Sequence, residues 1–461
     1  MKIEINGSGS IALRLSVFFL ILGLSPCLWG QQNETEILSK VAEHLVRREY
    51  SQALELFNKL PEERRETNDI RIMQATIMNA AGKTADAKRI ANAIIAADNK
   101  NTAALMVLAD AAAIENKERD RRAFLDKVIA LEPNNVRALN DLANINIKNQ
   151  SLRVAANYFD KVLAIEPDNG EALVGRAVIY RYTREPKKAE TLLNRAVTLY
   201  KDWARPLHER GRLYKSTGLN NDALDDFKTA LTIEPDNYMV LVDYGELLME
   251  VNQKQEALKH LNKAIQVEPN IFMAYIYSAA IKDELSDYKG AENDYNILVK
   301  LKPDYYFGFE ALGVLRMRNK QWAGARDAFL DAYKQAPKEY NYALLAAMNW
   351  MRAGKQADPK QFLAQVLRTM PRDTTEYAVI RMYHDLSGDA NAANLVDNEK
   401  NIYKKAQMTF YLASYHDIRG NKALADRYYL MHQSLNIIGT IEWQLNEMMI
   451  AERGIGAKAE K

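Results

Sequence analysis

A chain of 461 residues with 48% hydrophobic side chains can bury a large core, and 62 Lys plus Arg against 60 Asp plus Glu leave a net charge of only +2. That balance lacks the basic excess on which nucleic-acid binding generally rests, so no nucleic-acid partner is expected. One cysteine allows no disulfide framework within the chain, and stability must come from packing.

The first element is an apolar leader. Lys2 and Arg14 precede the uncharged run from Leu15 to Leu24, followed by Ser25, Pro26, Cys27, Leu28, Trp29 and Gly30. Residues 1–30 read as a secretory signal peptide, because a permanent anchor needs roughly 20 apolar residues and this stretch is shorter and carries a proline. Cys27 follows Leu24, Ser25 and Pro26, which resembles the L-x-x-C lipobox of bacterial lipoproteins, although Pro26 departs from that pattern. Two maturations stay open: lipidation at Cys27, or cleavage near Gly30 by the ordinary signal peptidase.

Beyond the leader, Pro133, Pro167, Pro235, Pro269, Pro303, Pro337 and Pro371 fall on one 34-residue grid. Several stand in near-copies of one phrase, LEPNN at 131, IEPDN at 165 and 233, and VEPN at 267. A proline lacks the N–H of a continuing helix, so each marks the end of one helix and the turn into the next pair. With that proline at position 32, units start at 34, 68, 102, 136, 170, 204, 238, 272, 306, 340 and 374, and a last one at 406 after a two-residue deletion.

Three further columns obey this grid. Position 20 is alanine in ten of twelve units, the exceptions being Arg121 and Pro359, and Asp358 is expected to cap the helix that Pro359 begins. Position 8 is Ala or Gly in ten units, among them Ala143, Gly211, Gly245 and Gly313, and position 24 is bulky, as in Phe57, Phe159, Phe227, Leu261, Tyr295 and Phe329. Small residues facing large ones let two helices approach without leaving a void. Over residues 34–437 the chain resembles the tetratricopeptide-repeat family. The resemblance implies an all-α, right-handed α-solenoid of about twelve helix pairs with a capping helix at 440–452.

The expected organisation is ten in-register units over 34–373, two degenerate ones over 374–437, the cap, and a disordered tail at 453–461. Arg381 and Asp397 occupy the small and bulky positions of the unit at 374, where a local break in the stack is expected. The segment from Phe410, with IEWQL after it, is similar to the C-terminal end of NlpI-like bacterial repeat lipoproteins. That likeness implies envelope proteases or cell-wall hydrolases as partners, and periplasm or outer membrane as the location.

No P-loop, nucleophile elbow or H-E-x-x-H motif occurs, so neither catalysis nor a cofactor is expected. His44, His384 and His416 share position 11 and read as packing residues; without H-x-x-x-H or cysteine support no metal site is expected. Asp225 and Asp226 read as surface charge on a helix B.

In this family, positions 2, 5, 9 and 12 of each unit face the concave surface. From 136 to 204 these include Arg137, Asn140, Asn144, Arg181, Arg205, His208, Arg212 and Lys215. From 238 to 340 they include Met239, Val242, Met249, Met273, Ile276, Phe307, Val314, Met317, Leu344, Met348 and Met351. The expected partner is a protein segment with carboxylates at one end and an apolar stretch at the other. The alternative is that these methionines are buried between helices. Asn140, Asn144 and Arg205 echo part of the carboxylate clamp of eukaryotic cochaperone repeats, but Gly175 and Glu209 stand where further clamp residues belong. A separate role stays open, a self-assembling spacer acting through its aromatic stretch from Tyr275 to Trp350.

Overall fold

A computed structural model describes residues 31–354 and 358–455. The leader, Cys27, residues 456–461 and the capping side chain of Asp358 lie outside the described residues. Every regular element is helical: 26 α-helices and one 3-10 turn among the described residues. None of these helices is long and apolar enough to cross a membrane. The chain divides into two compact units, one ending at Ile233 and one beginning at Glu234.

The N-terminal unit opens with α1 (Gln31–Val46) and a shortened partner, α2 (Tyr50–Leu56), continued by a 3-10 turn at Phe57–Lys59 and a four-residue α3 (Glu62–Arg65). Pro61, off the 34-residue grid and extended at ψ 146°, cuts that partner helix short. Regular pairs follow: α4 (Asn68–Ala80) with α5 (Thr84–Ala97), α6 (Thr102–Ile114) with α7 (Glu118–Leu131), α8 (Val136–Lys148) with α9 (Leu152–Ile165), α10 (Gly170–Tyr182) with α11 (Pro186–Leu199), and α12 (Ala204–Ser216) with α13 (Asn220–Ile233). Within this unit each pair packs on itself and on the pair that follows it.

The repeated phrase has a structural reason. Asn101, Asn135 and Asn169 cap α6, α8 and α10, each side-chain oxygen accepting from the backbone N–H of Ala104, Ala138 or Ala172. Helix A ends on a left-handed residue at position 15 of the unit: Arg48, Gly82, Asn116, Gln150, Arg184 and Gly218 here. Only Gly and Asn adopt that conformation readily, so the arginines and glutamine carry a local strain that the turn holds in place.

Packing follows the columns. Ala53, Ala87, Ala155, Ala189 and Ala223 are fully buried, as are Phe57, Phe159 and Phe227. A Cβ on Gly211 would meet the Phe227 ring at 2.6 Å, and on Gly313 the Phe329 ring at 2.6 Å, so these glycines are what allow the close approach.

The C-terminal unit repeats the scheme with α14 (Tyr238–Glu250) and α15 (Lys254–Val267), α16 (Met273–Glu284) and α17 (Tyr288–Leu301), α18 (Tyr306–Arg318) and α19 (Trp322–Gln335), and α20 (Tyr340–Arg352) and α21 (Asp358–Thr369). Then the register changes. Helices α22 (Thr375–Asp385) and α23 (Asp389–Asp397) shorten to 11 and 9 residues, and Ala392 is fully buried where the grid pointed to Ala393. After them α24 (Ile402–Ile418) begins four residues ahead of the expected unit start, followed by α25 (Lys422–Leu435) and α26 (Ile441–Arg453). The stack does not simply break: α24 packs on α22 and also on α20, and α26 packs on α25 and α24 and reaches α18.

Candidate functional site

In the N-terminal unit the helix-A face carries the arginines that the sequence placed there, but each is engaged. Arg137 on α8 sits 2.7 Å from both carboxylate oxygens of Asp110 on α6. Arg205 on α12 pairs with Glu171 on α10. Arg181 and Arg212 share Glu209, at 3.3 and 3.4 Å. Burial alone would push the Glu209 carboxyl up, yet Arg212 and Arg181, then His208 and Arg205, hold it at about 2. Arg121, where alanine was expected, reaches from α7 to Asp141 on α8 at 2.8 Å.

The run of basic residues is therefore a ladder of alternating charge, its guanidinium groups already paired with carboxylates of the chain itself. Arg137, Arg181, Arg205, Arg212 and Lys215 are half-buried, and His208 is buried with its ring 5.8 Å from that of Phe227. Asn140 donates to Asn169 at 3.2 Å, while the buried Oδ1 atoms of Asn140 and Asn144 have no hydrogen-bond partner among the described residues. Gly175 leaves no open gap at the clamp position, since a Cβ there would fall 2.1 Å from the Phe159 ring.

The apolar set divides in two. On α14 and α16, Met239, Met249, Met273 and Ile276 are half-buried, with Val242 2% exposed. Phe307 on α18 is 49% exposed, its ring 4.2 Å from that of Tyr306. By contrast Val314, Met317, Leu344, Met348 and Met351 are buried, sharing one core with Phe410, Tyr411, Leu445, Met449 and Ile450. The expected apolar floor on α18 and α20 is thus closed. Neighbouring repeats contribute Phe329, Leu363 and Val379 to this core, and the chain's own α24 and α26 return from further along the sequence to complete the cover.

A polar seam that the repeat columns do not reveal runs under this cover. The Tyr411 hydroxyl lies 2.9 Å from Glu442 and 3.2 Å from the Asn341 carbonyl, and Tyr342 donates to Glu310 at 2.5 Å. Burial pushes both carboxyls above the ordinary range, against the hydrogen bonds from Tyr342 to Glu310 and from Tyr411 and Gln407 to Glu442. Glu442 is fully buried in this core. Asp417 on α24 is gripped from two sides, by Arg352 of α20 at 2.9 Å and by Arg453 of α26.

Other candidates resolve simply. Asp226 is not surface charge: it is buried and held by both Arg210 nitrogens at 2.8 and 2.7 Å, whereas Asp225 is exposed. His44 pairs with Glu49 at 2.6 Å, His384 with Asp385 at 2.6 Å, and His416 stacks on Tyr428. Among the described residues no group of three His, Cys, Asp or Glu is placed to hold a metal ion.

Comparison with known proteins agrees with this architecture. Family models described as tetratricopeptide repeat match residues 217–277, and residues 140–202 and 282–340. The solved structure of the APC/C hetero-tetramer Cut9-Hcn1 is similar at a TM-score of 0.50 and 15% identity, over 73% of this chain and 66% of that one. The pilF protein of Pseudomonas aeruginosa gives 0.41 and 18%, over 45% and 94% of the two chains. A tetratricopeptide repeat protein from Parabacteroides merdae gives 0.36 and 17%, over 54% and 98%. No curated protein matches in sequence. At such identities the likeness concerns fold alone; the matched repeats over 140–202, 217–277 and 282–340, with the paired helices, make the chain a tetratricopeptide-repeat protein, a scaffold for protein–protein interaction.

Proposed function

We propose that the chain is an exported, non-catalytic adaptor of the bacterial cell envelope that holds a segment of a partner protein along its helix-A faces. The observation that carries the binding role is the half-exposed row on α8, α10 and α12. There guanidinium–carboxylate pairs alternate with Asn140 and Asn144, whose buried amide oxygens have no hydrogen-bond partner among the described residues. Such a row suits an extended segment of mixed charge, whose own amides and carboxylates exchange with these pairs.

The envelope assignment is supported by the leader in residues 1–30, with the lipidation of Cys27 as its variant form. Envelope proteases or cell-wall hydrolases are the proposed partners, on the likeness of the C-terminal segment to NlpI-like lipoproteins. The test is affinity capture from a native envelope extract, with the wild-type chain and the Arg205→Glu, Arg212→Glu double variant side by side. Loss of the captured protein from the variant supports the reading. Equal capture by both removes this face from it.

A further inference from the structure

The α18–α20 face shows what it binds, because the chain has filled it. Met317, Leu344 and Met348 are at most 1% exposed, and the elements over them bring Leu445, Met449 and Ile450 into the same core. Two contacts fix the crossing: Lys320 beside the end of α18 pairs with Glu452 at 3.4 Å, and the Arg352 Nη2 at the end of α20 lies 3.6 Å from the Met449 sulfur. In sequence α26 is an amphipathic helix with Leu and Met four residues apart.

The seam under α26 is satisfied only in part: Arg453 pairs with Asp417 and Asp426, but other polar atoms are left over. Arg352 Nε, both ring nitrogens of His432 and Asn446 Oδ1 are buried with no hydrogen-bond partner among the described residues, and Trp443 lies over the His432 ring at 6.0 Å. Asn446 does reach the Tyr429 carbonyl through its Nδ2, at 3.2 Å. The Glu442 carboxyl meets only neutral donors, Tyr411 and Gln407. Each of these groups would regain water if the helix left, so departure recovers part of what burial costs.

The connection is short and exposed. Residues 436–440 join α25 to α26, with left-handed backbone at Asn436 (φ 52°) and Gly439 (φ 88°), and Ile438 is 69% exposed. A tether this short keeps a released helix at an effective concentration of roughly millimolar, so docking and undocking compete with ligands of ordinary affinity.

We propose that α26 is a detachable occupant of a helix-docking site on α18 and α20, and that its release opens this site to a partner's amphipathic helix of the same chemistry. The incoming helix presents Leu and Met four residues apart, with a carboxyl one turn ahead for Tyr411. This deepens the reading of the chain as a protein-binding scaffold, but involves none of the residues on α8, α10 or α12.

The probe is a fluorescein-labelled peptide of residues 440–455, titrated by anisotropy into the full chain and into its Leu445→Asp, Met449→Asp variant, whose own α26 cannot dock. The variant is expected to bind the peptide at least about tenfold more tightly than wild type does. Equal binding to both, in a variant that keeps its helical circular dichroism, overturns the proposal. Dimers of the wild-type chain that exchange α26 between copies overturn it too, since the occupant would then be a second copy.

Where the variant fails to fold, hydrogen exchange on the wild-type chain decides. Amides of 441–453 are expected to exchange at least about tenfold faster than those of 422–435, and equal protection of the two helices sinks the idea. Peptide binding that survives while capture is indifferent to Arg205 and Arg212 condemns only the N-terminal face. The opposite pair of results condemns only the detachable helix.

Discussion

The helix-A faces of the two units solve the same problem at different ranges. In the N-terminal unit the ion pairs that leave one repeat join its neighbour: Arg137 to Asp110 across 27 residues, Arg181 to Glu209 across 28, Arg205 to Glu171 across 34. In the C-terminal unit the face of α20 is closed from far away, with Arg352 reaching Asp417 across 65 residues and Met449 across 97. Repeat arrays are held by nearest-neighbour terms, and stability there is nearly a sum over units. The C-terminal closure adds links that skip a unit, so α18 to α25 should behave as one cooperative block, with α26 as its releasable cover.

Asp417 tests that block, because it bridges α20, α24 and α26 and its side chain is only 17% exposed. Asp417→Ala leaves Arg352 and Arg453 facing each other's charge without the carboxylate between them. The expected loss is about 3 to 5 kcal/mol in urea unfolding, with hydrogen exchange accelerated from 402 to 453 and unchanged in the N-terminal unit. Uniform acceleration along the whole chain would mean that no separate block exists.

The next largest effect is pH dependence from His432. Burial holds its pKa down at about 4 against an ordinary 6.5, so the folded state keeps the ring neutral while the unfolded chain binds a proton below 6.5. The contribution is present above pH 6.5 and is lost as pH falls from there towards 4. At about 1.4 kcal/mol per tenfold step it amounts to about 3 kcal/mol. Urea melts of wild type and His432→Leu should diverge over that window, the variant losing less. Parallel pH profiles would show that the ring is hydrated in solution.

The contrast also explains what was legible in the sequence. Columns 8, 20 and 24 were readable because one period repeats the same close contact, as Gly211 on Phe227 and Gly313 on Phe329 show. The left-handed position 15 was not, since Arg48, Gln150, Arg184, Ser286 and Lys320 adopt a conformation that composition assigns to glycine. The fate of the methionines was hidden for another reason: Met249 and Met351 share position 12, yet one is half-buried and the other lies in the core that α24 and α26 help to close. The neutralised ladder did leave a trace. Glu171 and Arg205 occupy position 2 of consecutive units, and opposite charges in one column one repeat apart are placed to pair.

That trace yields the smallest effect, and the one that separates binding from folding. Arg205 and Glu171 are 18% and 21% exposed, a pair neither fully solvated nor fully desolvated. Removing one partner of such a pair from a face where Arg181, Glu209 and Arg212 stay linked should cost about 1 kcal/mol, a shift of roughly 2 to 4 °C in a unit of this size. A double-mutant cycle of Arg205→Met with Glu171→Gln should return a coupling of the same order, screened as salt rises. If the coupling instead reaches several kcal/mol, the ladder holds the repeats together and is not available to exchange its pairs with a partner. A coupling near 1 kcal/mol leaves it free to do so, because a ligand carboxylate can then replace Glu171 on Arg205 at little cost to the fold.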